Sequence, residues 1–321
     1  MALLVLGIGL IAAPAIFQMF DRAPKGKTMI TSFKPYMTEA QITGFQHDMR
    51  TIDAAVRESK GQLRTSLAEK GIPPDEVATT YPLLTSFEDQ WPAIDDDMSQ
   101  MLTTMHGDLG NYRAVADLPP FDLFPWFFVV PGVILVVAAL LGLRARRLGR
   151  STLPWLIVAV VIGAGLVVAP GIFQMMERAP KGGHMVDDFK PLMTEAKVRK
   201  IQGYFVVIGG GEGTLRAQVL PKVTGSADPA TEFPAIARFN ADWPHTSNQM
   251  APMIGAMSDN LGNYAAVAAL PPFPLFPWFF IVPGVLIVVF AALAQTTSDA
   301  APALDAETAQ PKPSQPLGDI T

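Results

Sequence analysis

The stretch Ile208–Thr214 reads IGGGEGT, and glycine at that density invites a phosphate cradle. A dinucleotide fingerprint needs G-x-G-x-x-G after a strand, but Thr214 stands sixth counted from Gly209, and no Gly-Lys-Ser/Thr follows. The Gly209–Gly213 run therefore reads as a flexible bend that ends a helix. The four histidines, His47, His106, His184 and His245, lack the spacing of a metal pair. Asp95, Asp96 and Asp97 flank the apolar Ile94 and Met98 as a solvated helix face, without the glycine and alternating ligands of a calcium loop. No serine sits in a G-x-S-x-G context. Cysteine is absent, which excludes thiolate metal sites, disulfides and thiol catalysis. The expectation is a non-enzymatic protein without catalytic residues, cofactor or metal.

The charges that recur are those of RAPKG, written at Arg22–Gly26 and again at Arg178–Gly182. Each follows an apolar run. Arg22, Lys25, Arg178 and Lys181 are therefore candidate contacts for lipid headgroups or for a partner's acidic patch, with snorkelling at a helix end as the plainer reading.

The elements that carry these residues are membrane spans. The chain has 321 residues, half of them hydrophobic, and its mean hydropathy is +0.28. Runs at Leu3–Phe20, Leu123–Leu143, Pro154–Met175 and Leu275–Leu293 each approach the ~20 apolar residues a helix needs to cross a bilayer. Leu3–Phe20 lacks a basic leader segment and has an internal counterpart, so it reads as a retained span. The net charge of −5 offers nothing to nucleic acid.

Internal identity organises the whole. Ala13–Ala40 and Ala169–Ala196 share 19 of 28 positions, and Leu109–Val137 and Leu261–Val289 share 23 of 29. The reading is a tandem, parallel duplication of a span, an outer region and a second span: an all-α membrane protein with four transmembrane helices and two extracytoplasmic helical hairpins. The boundaries are spans at 1–20, 123–143, 154–175 and 275–294, hairpins at 21–122 and 176–274, an Arg-rich loop at 144–153 and a disordered tail at 295–321. Arg144, Arg146, Arg147 and Arg150 place that loop in the cytoplasm by the positive-inside rule. Both termini then lie in the cytoplasm, in a multi-pass protein of the cell membrane.

In the outer regions Thr38–Gln41 has the form of a capping box, with Met37 and Ile42 as its hydrophobic staple. Ile42, Phe45, Met49, Ile52, Val56, Leu63 and Leu67 make a coiled-coil seam that Ser59 interrupts. A second seam runs from Leu84 through Trp91 and Met98 to Val115, with Pro92 expected to kink or restart the helix. The later half repeats both seams, from Val198 to Ile208 and from Ile236 to Val267. Two hairpins side by side are expected to form a four-helix bundle. In the spans, Gly9 with Ala13 and Gly165 with Ala169 have the small-xxx-small spacing of close helix packing. Pro14 and Pro170 follow them and are expected to bend the helices. Trp126 and Trp278, within FPWFF, are placed as interface anchors.

The combination of RAPKG, FKP and MTEA with LGNY, LPPF and LFPWFF resembles uncharacterised multi-pass membrane proteins of actinobacterial genomes that carry a tandem-duplicated two-helix unit. That resemblance implies no catalytic residues. The expected function is a membrane scaffold or accessory subunit of a cell-envelope complex, its outer bundle binding membrane lipids or an envelope protein. An extracytoplasmic sensor, and an envelope enzyme or small transporter, are the alternatives. Nothing in the sequence fixes the number of chains.

Overall fold

The computed structural model describes residues 1–308, with side chains as far as Thr296. Among them every regular element is helical. The order is α1 (Ala2–Ile16), α2 (Met19–Phe33), α3 (Glu39–Glu58), α4 (Arg64–Glu69), α5 (Pro74–Thr80), α6 (Pro82–Gly107), α7 (Leu109–Ala116) and α8 (Trp126–Arg147). It continues with α9 (Leu153–Ile172), α10 (Met175–Phe189), α11 (Glu195–Thr214), α12 (Leu220–Thr224), α13 (Pro229–Glu232), α14 (Pro234–Asp259), α15 (Leu261–Ala268) and α16 (Phe276–Thr308). One π-helical turn joins α3 to α4 at Ser59–Leu63, and another joins α11 to α12 at Leu215–Val219. The chain divides into two compact units. One comprises Met1–Phe20, Leu123–Glu177 and the residues from Pro274 onward; the other comprises Asp21–Asp122 and Arg178–Phe273.

The first unit is apolar. Three helical stretches, Phe121–Arg147, Leu153–Ile172 and Phe273–Thr296, are each long and apolar enough to cross a membrane. The pair α1 and α2 passes the same test only when taken together, because the chain breaks between them. The protein is thus a multi-helix membrane protein with three spans, or four if the broken pair counts as one. The break follows a shared design. Pro14 and Pro170 lie inside α1 and α9, and the chain leaves the helix at Gln18 and Gln174, with φ of 53° and 52°. The left-handed region costs an L-residue about 1 kcal/mol, so two glutamines held there mark enforced corners.

Within this unit α1 packs on α8 and α9 on α16, with further packing of α8 on α9 and of α1 on α16. The close approaches correct the expected packing residues. A Cβ on Gly132 would stand 2.9 Å from the Gly7 carbonyl oxygen, and one on Gly284 would stand 2.7 Å from that of Gly163. At Gly9 and Gly165 an added Cβ meets nothing within 4 Å, and Ala13 and Ala169 are half-buried. At ~100° per residue, Gly9 points about 200° away from Gly7, so the expected small-xxx-small pair starts on the face opposite the packing seam. The seams that pack carry Gly7, Leu10 and Pro14 in α1, and Gly163, Leu166 and Pro170 in α9.

Two boundaries move. The helix α8 runs through Arg144, Arg146 and Arg147, which occupy its last turn rather than a loop. Cations there complement the negative end of the helix dipole. At the other end, α16 continues from Gln295 to Thr308 where a disordered tail was expected, in keeping with alanine's helix propensity. The remainder of that expected tail lies outside the described residues.

The second unit is a ring of four helices. Here α3 packs on α6 and α14, and α11 packs on the same two, so the ring closes. Threonine starts two of these helices. Thr38 and Thr194 stand in extended backbone and accept from the amides of Gln41 and Lys197 at 3.3 and 3.2 Å. Only half of the expected capping box forms, because the Gln41 side chain bonds Gln249 at 3.0 Å instead. The core is aromatic at its centre: Phe87 stacks on Phe239 at 5.9 Å, flanked edge-on by Trp91 and Trp243.

Three local readings change. Ser59 does not interrupt its seam; it is fully buried, and the five-residue π turn begins there. Pro92 lies inside a continuous α6, with buried Trp91 and Ile94 on either side of it. The glycine run does not end α11, which passes through Gly209–Gly213 to Thr214. Packing of Ile208, Gly211 and Leu215 offsets the weak helix propensity of that stretch.

Candidate functional site

The two RAPKG segments lie in α2 and α10, and their arginines each cap a helix of the other half. Arg22 Nη1 donates to the carbonyl of Ala269 at 2.6 Å, the residue that ends α15. Arg178 Nη1 donates to the carbonyl of Asp117 at 2.9 Å, the residue that ends α7, and stands 3.9 Å from the Asp117 carboxylate. A cation on the free carbonyls of a helix C-terminus meets both the hydrogen-bond demand and the dipole. Lys25 pairs with Asp21 one turn back at 2.8 Å, and Lys181 is likewise an engaged side chain.

The small residues between these charges are packing surfaces. Ala23 and Ala179 are buried. A Cβ on Gly26 would touch Phe121 and Val267 at 3.5 Å, and one on Gly182 would crowd Phe273 at 3.0 Å and Val115 at 3.3 Å. The motif reads, residue by residue, as a cap, a buried methyl, a proline inside the helix, a surface lysine and a crossing point.

A second pair of hydrogen bonds caps the helices that carry these arginines. Tyr112 Oη donates to the Ile30 carbonyl at 2.7 Å and Tyr264 Oη to that of Val186 at 2.6 Å, in the last turns of α2 and α10. Burial pushes the Tyr112 phenol up to about 12 and raises that of Tyr264. These tyrosines border an apolar cavity of about 30 Å³ between Met29, Phe33, Met185 and Phe189. Its lining offers no polar surface to hold a water.

The interface of α6 with α11 holds the strongest ionic cluster. Asp97 accepts from Lys197 at 2.7 Å, from Lys200 at 2.9 Å and from the Tyr204 hydroxyl. Burial alone would raise this carboxyl, but Lys197, Tyr204 and Lys200 outweigh it and hold it well below the usual carboxylate range. Asp97 therefore departs from the solvated face expected of Asp95–Asp97. Its neighbour Asp95 is pushed up by burial and by Asp53.

At the first π turn, Ser59 donates to the buried Glu88 at 2.6 Å, and Arg64 pairs with the other carboxylate oxygen. Matching positions in the second half hold Leu215, Asn240 and Leu220, and Asn240 Oδ1 is buried without a partner. On the interface of α3 with α14, Asp48 is raised by burial beside Thr246, His47 and His245, and the side chains of His47 and Arg238 meet at 3.0 Å. His106 meets Glu39 at 2.9 Å. Among the described residues no group of three or more His, Asp or Glu side chains is placed to hold a metal ion.

In the apolar unit, Trp126 and Trp278 are 52 and 48 % exposed, and Trp126 meets Phe20 edge-on at 5.7 Å. Around them lies a run of ring contacts, the tightest between Phe128 and Phe280 at 4.5 Å.

Sequence reasoning brought out the RAPKG arginines but missed what they hold, because their acceptors lie 247 and 61 residues away. It also missed Asp97 with Lys197 and Tyr204. Their one legible signal was the placing of Asp97 beside the seam residue Met98, which predicts a half-buried flank. No protein-family model matches this chain, and no curated protein matches it.

Proposed function

We propose that the chain is a non-enzymatic integral membrane scaffold, or accessory subunit, of a cell-envelope complex. It consists of two tandem copies of one unit, each with a helical hairpin between two spans, with both termini in the cytoplasm and the large helical regions outside. The observation that carries this reading is the use of the repeated charges: Arg22 and Arg178 each cap a helix belonging to the other half. A mutual lock of this kind supports a fixed platform rather than a moving or reacting centre. The features that recur at matching positions, Gln18 with Gln174 and Tyr112 with Tyr264, support the duplication. The proposed partner is an envelope protein seated on the outer ring.

Purification of the tagged chain in mild detergent is expected to yield a complex with a second polypeptide in fixed stoichiometry. Repeated recovery of a lone monodisperse chain would overturn the scaffold reading. Orientation has its own test, since the native chain has no cysteine. A cysteine at Ser99 is expected to react with an impermeant maleimide in intact cells, and one at Ser151 only after lysis. The reverse pattern would invert the topology.

A further inference from the structure

Along one side of α2 a groove of about 450 Å³ runs against α7 and the Leu118–Phe121 segment. Its apolar lining includes Ile30, Met37, Val115, Leu118 and Phe121. Its charges are Lys27, Lys34, Arg113 and Asp117. Two of these are satisfied: Lys27 pairs with Asp122 at 2.8 Å, and Asp117 faces Arg178. Lys34 and Arg113 are exposed and belong to none of the ion pairs or side-chain hydrogen bonds of the described residues. The groove thus offers two unspent cations above an apolar floor.

The matching positions of the second half lack this character. Lys27 and Arg113 correspond to Gly183 and Ala265, and Thr31, in the groove wall, corresponds to Asp187. Only Lys34 keeps its charge, as Lys190. Two segments otherwise so similar differ here in charge: the second half keeps one cation, Lys190, with the acidic Asp187 one turn before it, and packing gives no reason for an exposed Arg113 in the first half alone.

We propose that this groove binds one anionic glycerophospholipid, its phosphate between Lys34 and Arg113 and the start of an acyl chain on the apolar floor. The volume is in the range of small-molecule sites, and the pairing of free cations with apolar surface fits an anionic amphiphile better than a free anion. Three apolar spans put the chain in a membrane, where such lipids are the abundant ligands. The site stands on the membrane reading and requires no protein partner.

The test uses the full chain purified in mild detergent, incubated with phosphatidylglycerol or phosphatidylcholine, with bound lipid counted by native mass spectrometry. About one phosphatidylglycerol per chain is expected, falling at least tenfold in Lys34→Gln/Arg113→Gln and staying unchanged in Lys190→Gln. Ala116→Trp, which fills the groove without altering charge, is expected to release the lipid too; each variant is first checked for a wild-type melting profile. Equal retention of phosphatidylcholine, or retention of phosphatidylglycerol by the double variant, overturns the proposal. Full displacement by millimolar inorganic phosphate or glycerol phosphate also overturns it, since the site would then recognise the anion alone.

Discussion

At Gly211 an added Cβ would overlap the Phe87 ring, whereas at Gly213 it would meet nothing within 4 Å. The same run of glycines therefore contains a residue that the packing of α11 on α6 requires and one that it does not. Gly211→Ala forces the central aromatic stack of Phe87 on Phe239 to shift, and overpacking of this kind costs about 1–3 kcal/mol. Gly213→Ala removes only a weak helix former and is expected to stabilise by about 0.5–1 kcal/mol. Thermal melts in one detergent are expected to move in opposite directions for the two variants. A shift of the same sign in both would mean that close approach at Gly211 is not what holds the helices together. The π turn that follows explains how such a weak stretch stays helical: the buried Leu215 and Val219 anchor it from the far side.

Between elements, the two interfaces that join the halves use the same positions with different chemistry. On one, Lys197 of α11 binds Asp97 of α6; on the other, the matching Gln41 of α3 binds Gln249 of α14. At these matching positions one contact is ionic and the other neutral, which disfavours exchange of the helices between the two sites. This difference has a pH signature. Asp97 is depressed below its ordinary carboxylate value, so its contribution is fully present above about pH 4 and is lost as pH falls through the lower folded value. Asp48 and Asp95 are raised, so their protonation favours the folded state as pH falls. The net acid limb mixes both signs, and comparison with Asp97→Asn isolates one. The variant is expected to be about 2 kcal/mol less stable at pH 7, with the gap closing toward pH 2. A gap independent of pH would show that the carboxylate's charge is not what matters.

How much was legible in the sequence follows the same division. The seams, the threonine caps and the apolar spans are local and periodic, and they could be read. The packing face of α1 could not: Gly7 and Gly9 are equally small, and the choice between them is made by Gly132, 125 residues on. The RAPKG arginines were visible as repeated charges, but their acceptors are backbone carbonyls, which leave no mark in a sequence. The groove cations Lys34 and Arg113 were hidden for the opposite reason, since nothing local distinguishes an unspent cation from a spent one.

For the whole molecule, the question is whether the two halves are held by the connection at Leu148–Thr152 or by the contacts described above. The ring in the second unit closes only across halves, through α6 with α11 and α3 with α14. Arg22 and Arg178 add reciprocal caps, and in the apolar unit α8 packs on α9 and α1 on α16. The connection itself contributes only the high effective concentration that any tether provides. Two separate chains, Met1–Gly149 and Arg150–Thr321, produced together with a tag on the first alone, are therefore expected to co-purify as an equimolar pair. Arg22→Ala and Arg178→Ala together remove both caps while leaving the ring intact. Each lost cap is worth about 1 kcal/mol, which the tether of the intact chain would largely mask. In the two-chain form the same loss appears as lower recovery of the untagged half, its association weakened roughly thirtyfold for the pair of substitutions. Recovery of the first half alone, from cells that contain both, would mean that the linker rather than the crossed caps and the ring holds the molecule together.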